Sequence, residues 1–173
     1  MTTDASVHAS AVLVGDRAVL IRGPSGAGKS RLALELILAG RTGQIPAAVL
    51  VGDDRVHLDT SGGNLMVRPA RELAGLIEIR GLGIRRIEHV GEAAVGLVVD
   101  LGAEDAERLP AAEALTVQID GVKIPRIPVN LRYSALPLIV AALTTTDGVP
   151  AAQPSADCPK GIANHISPTI ATE

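Results

Sequence analysis

The chain has 173 residues, 47% of them hydrophobic, with no Trp, no Phe and one Tyr, and a formal net charge of −3. That length suits one domain able to bury its own core, and the absence of basic excess gives no surface to suggest a nucleic-acid partner, so none is expected. No basic start followed by a sustained apolar run marks a signal peptide, and no apolar run approaches the roughly 20 residues that span a bilayer. The single cysteine, Cys158, cannot form an internal disulfide, so a cytoplasmic protein without a membrane partner is expected. With Tyr133 the only aromatic residue, the core must be Val, Leu, Ile and Ala. Bases find no stacking platform, so a bound nucleotide is expected to be held mainly by its phosphates.

In chain order, residues 9–14 and 17–22 read as two short strands joined at Gly15-Asp16, a hairpin signal. Gly23-Pro24-Ser25-Gly26-Ala27-Gly28-Lys29-Ser30 follows and matches the phosphate-cradling pattern G-x-x-x-x-G-K-[ST] at every fixed position. The flanks agree, with an apolar β-run before it and a helix after it that ends at Gly40. A strand feeding a glycine loop that opens a helix turns successive backbone N–H groups and the positive helix end toward one point. Lys29 adds a mobile charge for the β- and γ-phosphates, and the Ser30 hydroxyl is a ligand for Mg²⁺. Residues 47–51 read as a buried strand ending at Gly52-Asp53-Asp54. An acidic pair just past a strand end can hold Mg²⁺ or take a proton from a hydroxyl nucleophile; a solvated turn is the plainer alternative.

Residues 55–60 and 65–67 are expected as strands about a turn, 71–76 as a short helix, and 96–101 and 115–119 as further strands. The run Leu76-Ile77-Glu78-Ile79-Arg80-Gly81-Leu82-Gly83-Ile84 sets one carboxylate and one guanidinium beside two glycines. Glu78 could complete a metal shell and Arg80 could grip an anion, although an edge strand with an exposed ion pair explains the same residues. Residues 134–143 read as a last helix with Pro137 in its first turn. From Thr144 the composition turns to Thr, Pro, Ala and Ser, so the expected division is a catalytic domain over 1–143 and a disordered tail over 144–173. The pattern is that of an α/β domain richer in strands than a regular βαβ array.

The combination of His8, the 23–30 loop, Asp53-Asp54 and the E-I-R-G-L-G-I run resembles the catalytic domain of bacterial HPr kinase/phosphorylase, over residues 7–143. The E-I-R-G-L-G-I run is the most specific part of the likeness; the phosphate loop alone would not single out that family. The resemblance implies a P-loop-containing, β-rich mixed sheet of the phosphoenolpyruvate carboxykinase-like kind. It implies ATP-dependent phosphorylation of a regulatory serine on HPr, the phosphocarrier of the sugar phosphotransferase system. It implies reversal by inorganic phosphate to give pyrophosphate, with ATP and Mg²⁺ as cofactors and a homo-oligomer, hexameric in the family.

Carried over residue by residue, the resemblance makes His8 the catalytic histidine, Lys29 the loop lysine and Asp54, with Asp53 beside it, the acid/base aspartate. Ser30 and Glu78 become the magnesium ligands, Arg108 before Leu109-Pro110 the nearest match to a catalytic arginine, and residues 127–132 the dephosphorylation segment. The chain departs from the family at Arg31, where an acidic residue is common, and at Asn130-Leu131-Arg132-Tyr133-Ser134, where R-P-G-R-N is usual. It also begins directly at the catalytic domain, where members usually carry an N-terminal domain, and the family's C-terminal helical region is shortened. A different P-loop kinase with a small-molecule substrate would be favoured by an arginine-rich lid, and none is evident. A non-enzymatic nucleotide sensor would be favoured by loss of Asp54 or Glu78, and both are present.

Overall fold

The computed structural model describes residues 6–146 and 148. Apart from 144–146 and 148, the expected tail lies outside the described residues. The first half of the fold comprises β1 (Ser6–Val7), β2 (Ser10–Val14), β3 (Arg17–Arg22), α1 (Lys29–Arg41), β4 (Ala48–Gly52), β5 (Val56–Ser61) and β6 (Asn64–Pro69). The second comprises β7 (Leu76–Ile79), β8 (Gly83–Arg86), β9 (Ala93–Leu101), β10 (Thr116–Ile119), β11 (Val122–Val129) and α2 (Ala135–Thr144).

Most strands join one mixed sheet in the order β1-β5-β6-β9-β3-β2-β4. β11 runs parallel to β9 beyond the short stretch that β6 occupies, and β10 pairs antiparallel with β11. β7 and β8 form a separate two-stranded hairpin. The expected α/β, strand-rich domain is what the chain forms. β2 is antiparallel to both β3 and β4, and β9 is parallel to β3. The carboxyl ends of β3, β4, β9 and β11 therefore share one edge with the amino end of β2. In open α/β sheets that edge is where ligands bind.

The central strands read as continuous apolar runs because both faces are buried. On one face Val12, Val19, Ile21, Leu50 and Val99 pack under Leu32 and Leu36 of α1 and Ile139 of α2. On the other, Ala11, Leu20, Val51 and Val98 meet Val56, Leu65, Val67 and Ile124, so the outer strands curl over that face. One bulge keeps the two sets in register. Ala18 faces Val95 but Val19 faces Leu97, leaving Gly96 as the extra residue. It switches the pleat, so that Val95 joins one cluster and Leu97 the other. A Cβ at Gly96 would lie 2.6 Å from Cβ of Arg17, a separation only glycine permits.

One expectation needs correction, and one strand was not expected. The helix expected over 71–76 is only a 3₁₀ turn, Arg71–Leu73, because Gly75 takes φ 72 and breaks the turn before Leu76 opens β7. β11, for which no element was expected, is a strand despite Pro125 and Pro128. The chain changes partner between those prolines, since β10 pairs with residues 122–125 and β9 with 126–129.

Candidate active site

The 23–30 loop leaves the end of β3 and closes on α1, as its glycines require. Gly23, Gly26 and Gly28 have φ of 149, 79 and 97, conformations that side-chain-bearing residues rarely adopt. A Cβ at Gly23 would meet the Leu101 carbonyl at 2.7 Å, whereas one at Gly26 or Gly28 meets no protein atom within 4 Å. The loop is pressed onto β9 at its stem and open at its crown. Lys29 opens α1 and is buried, its Nζ donating to the carbonyls of Gly23 at 3.0 Å and Pro24 at 3.1 Å. No acidic residue occupies the first turn of α1, so nothing in the helix competes for its positive end.

The acidic wall comes from the end of β4. Arg55 N–H donates to the Asp53 carbonyl at 2.7 Å, closing a three-residue turn with Asp54 at its centre at φ 63. A non-glycine residue held there costs on the order of 1–3 kcal/mol, which the surroundings must supply. Asp54 Oδ1 lies 3.0 Å from Nε2 of His8, with both side chains half exposed. Asp53 points the other way. It is buried, accepting from Ser10 Oγ at 2.6 Å and from the Glu78 backbone N–H at 3.0 Å. Glu78 alternates with Ile77, which is buried in the core, so its carboxylate is exposed.

These groups surround one cavity of about 740 Å³. Its lining includes His8, residues 25–31, Asp54, Glu78, Arg80 and Arg132. Of the site residues expected from sequence, Gly23 and Pro24 lie at the loop stem, Asp53 lies behind the wall, and Arg108 is exposed between β9 and β10 outside the lining. Asp53 is therefore separated from its neighbour by orientation, a difference that adjacent sequence positions conceal.

An ionic network behind the loop was not legible in sequence. Asp100 of β9 receives Arg22 Nε at 2.7 Å and Nη2 at 2.8 Å, and also Arg126 of β11. Arg126 grips Asp105 bidentately at 2.6 and 3.0 Å and donates to the Ala114 carbonyl at 2.9 Å. Burial pushes the Asp100 carboxyl up, but its hydrogen bonds from Arg22 and Arg126 outweigh that and leave its pKa below the ordinary value. Asp105 is lowered by its bond from Arg126, and Arg126 is raised chiefly by Asp105. The available signal was a lone carboxylate in the apolar run of β9, opposite Arg22 in the parallel ladder. Arg22 immediately precedes Gly23, so this network fastens the stem of the phosphate loop.

The family model described as HPr serine kinase C-terminal domain matches residues 1–146. The chain belongs to that family. An HPr kinase/phosphorylase of Enterococcus faecalis is 39% identical over 153 residues, covering 80% of this chain and 47% of that protein. One from Neisseria meningitidis serogroup C is 35% identical over 130 residues, covering 70% of this chain and 38% of that protein. The chain thus spans less than half the length of these relatives. The solved structure of the Hpr(Ser) kinase/phosphatase from Coxiella burnetii superposes with a TM-score of 0.63 at 28% identity, covering 80% of this chain and 93% of that one. No helix among the described residues is long and apolar enough to cross a membrane.

Proposed function

We propose that this domain transfers the γ-phosphoryl group of ATP to a serine of HPr and runs the reverse phosphorolysis with inorganic phosphate. One observation carries the reading: the phosphate loop, the His8–Asp54 pair and Glu78 line a single cavity. The family's relatives bear the name HPr kinase/phosphorylase, which supports HPr as the protein substrate. The cytoplasm is the compartment in which this reading places the reaction.

The donor set fits Mg²⁺ brought in with the phosphates. No group of three or more His, Cys, Asp or Glu among the described residues could hold a metal alone. Mg²⁺ ordinarily takes one or two protein carboxylates plus substrate phosphate oxygens and waters, and Ser30 and Glu78 are the residues that would hold it. When bound, it supplies charge neutralisation across the β- and γ-phosphates. Lys29 leaves the Gly23 and Pro24 carbonyls to meet the same phosphates, while the open crown of the loop presents its N–H groups. Asp54 accepts the serine proton as the serine oxygen bonds to the γ-phosphorus and ADP departs. His8 Nε2 holds the Asp54 carboxylate in the receiving orientation.

In reverse, inorganic phosphate occupies the loop and its oxygen attacks the phosphorus of phosphoserine. The serine oxygen leaves with the proton returned by Asp54, and pyrophosphate forms. Arg80 and Arg132, both in the lining, suit the phosphoserine phosphate. Arg108 lies outside the lining and has no step. The test is intact-mass measurement of HPr incubated with the protein, ATP and Mg²⁺. A gain of one phosphate, lost again with pyrophosphate release when phosphate replaces ATP, is expected. Nucleotide binding without transfer would overturn the kinase reading in favour of a nucleotide sensor.

A further inference from the structure

His8, Asp54 and Glu78 reach the cavity from three separate pieces of chain, and one buried pair, Ser10 and Asp53, touches all three. Ser10 opens β2, two residues after His8; Asp53 directly follows β4 and precedes Asp54; Glu78 sits on the β7–β8 hairpin. A two-stranded hairpin has marginal stability by itself, and both faces of β8 are exposed, so the position of β7 depends on what docks it. Ile77 docks it apolarly in the core. Asp53 docks it polarly, through the N–H of the very residue whose carboxylate faces the cavity.

From these contacts we infer that Asp53 is a positioning residue, joined to Ser10, that fixes the distance between the His8–Asp54 pair and the Glu78 carboxylate. Its side chain is 2% exposed and its two oxygens are taken by different partners, Ser10 Oγ on Oδ1 and the Glu78 N–H on Oδ2. A carboxylate so placed is costly to bury unless both bonds are kept, which makes the geometry stiff. Its backbone carbonyl meanwhile closes the turn that holds Asp54 at φ 63. Asp53 thus sets the proton acceptor through its main chain and the opposite wall through its side chain. It is not among the residues that line the cavity. The inference rests on the reading of Glu78 as a metal ligand only for its consequence, not for the tie itself.

Two readouts separate the tie from that consequence. The first is amide hydrogen exchange at Glu78, followed by NMR in Asp53→Asn, Ser10→Ala and Glu78→Gln. Losing one hydrogen bond should speed exchange at Glu78 about tenfold in Asp53→Asn, with a smaller acceleration in Ser10→Ala and none in Glu78→Gln. The second is Mn²⁺ affinity measured by titration in the presence of ATP. Asp53→Asn and Glu78→Gln should each weaken it, and the double variant should be no weaker than Glu78→Gln alone, because Asp53 acts through Glu78. Weakened Mn²⁺ binding in Asp53→Asn with unchanged Glu78 exchange would make Asp53 a ligand and overturn the inference. So would additive losses in the double variant. Should Asp53→Asn not fold, Ser10→Ala carries the test, and wild-type exchange rates in that variant would overturn it. If wild type binds no Mn²⁺ with ATP, the metal reading of the cavity fails while the exchange result still decides the tie.

Discussion

Replacing Asp100 by Asn tests whether the ionic network behind the phosphate loop stabilises the fold. Asn keeps the shape and one acceptor but turns an amide donor toward guanidinium donors. With the amide oxygen in the place of Oδ1, Arg22 keeps its Nε bond and loses that from Nη2, and Arg126 loses its bond to residue 100 while keeping Asp105 and the Ala114 carbonyl. Breaking a buried pair costs about 3–5 kcal/mol, but here Arg22 is 34% exposed and can regain water, which lowers the expectation to about 2–3 kcal/mol. At roughly 2–4 °C per kcal/mol for a chain of this size, Tm should fall by about 5–10 °C, read by circular dichroism or calorimetry. The difference has a defined pH range. Because the folded Asp100 pKa is held below its ordinary value of 3.8, its contribution is complete above 3.8 and fades as pH falls through the lowered folded value. Replacing Arg22, Asp100 and Arg126 together by Met, Leu and Met should recover most of the loss, since apolar packing substitutes for a buried ionic group without stranding a charge. A Tm for Asp100→Asn within 1–2 °C of wild type at pH 7 would refute the reasoning, whatever its effect on turnover.

Lys29→Ala should remain folded yet lose about 10²–10³-fold in phosphoryl transfer, the worth of a preorganised charged donor, checked by the HPr phosphorylation rate. Asp54→Asn should lower phosphorylation and phosphorolysis together by roughly 10²–10⁴-fold, because one proton acceptor serves both directions. A loss confined to one direction would move the acid–base role elsewhere. Gly96→Ala should destabilise by about 1–3 kcal/mol in urea titration, as the new Cβ must displace Arg17 or erase the bulge.

The hairpin at Gly15-Asp16, the phosphate loop and α1 were legible because each rests on local chemistry: turn residues, fixed glycines and a helical run. The strands β4, β6 and β9 were legible as apolar runs between breakers. What local pattern could not show was partner choice. β11 contains two prolines and changes its partner between them, from β10 to β9. The two aspartates at 53 and 54 looked equivalent, yet a three-residue turn sends one side chain into the core and the other toward His8.

The places where this chain departs from ordinary local preference identify the same site by another route. Among described residues only Asp54 and Asp120 combine a side chain with positive φ. Asp120 needs no functional account: with Gly121 at φ 81 it makes the two-residue hairpin turn between β10 and β11, where positive φ at both positions matches the strand twist. Asp54 instead sits at the centre of a tight three-residue turn, a strained geometry that no strand pairing requires, and its carboxylate there meets His8 on the cavity wall. The first turn of α1 carries Lys29 and Arg31 and no acid, the reverse of what the helix dipole favours. Both residues line the cavity as well. A strained carboxylate on one wall and excess positive charge at a helix start on the other are unfavourable for folding alone. Together they make sense when an anion of several charges enters beside a group that must give up or take a proton, the pairing that phosphoryl transfer requires.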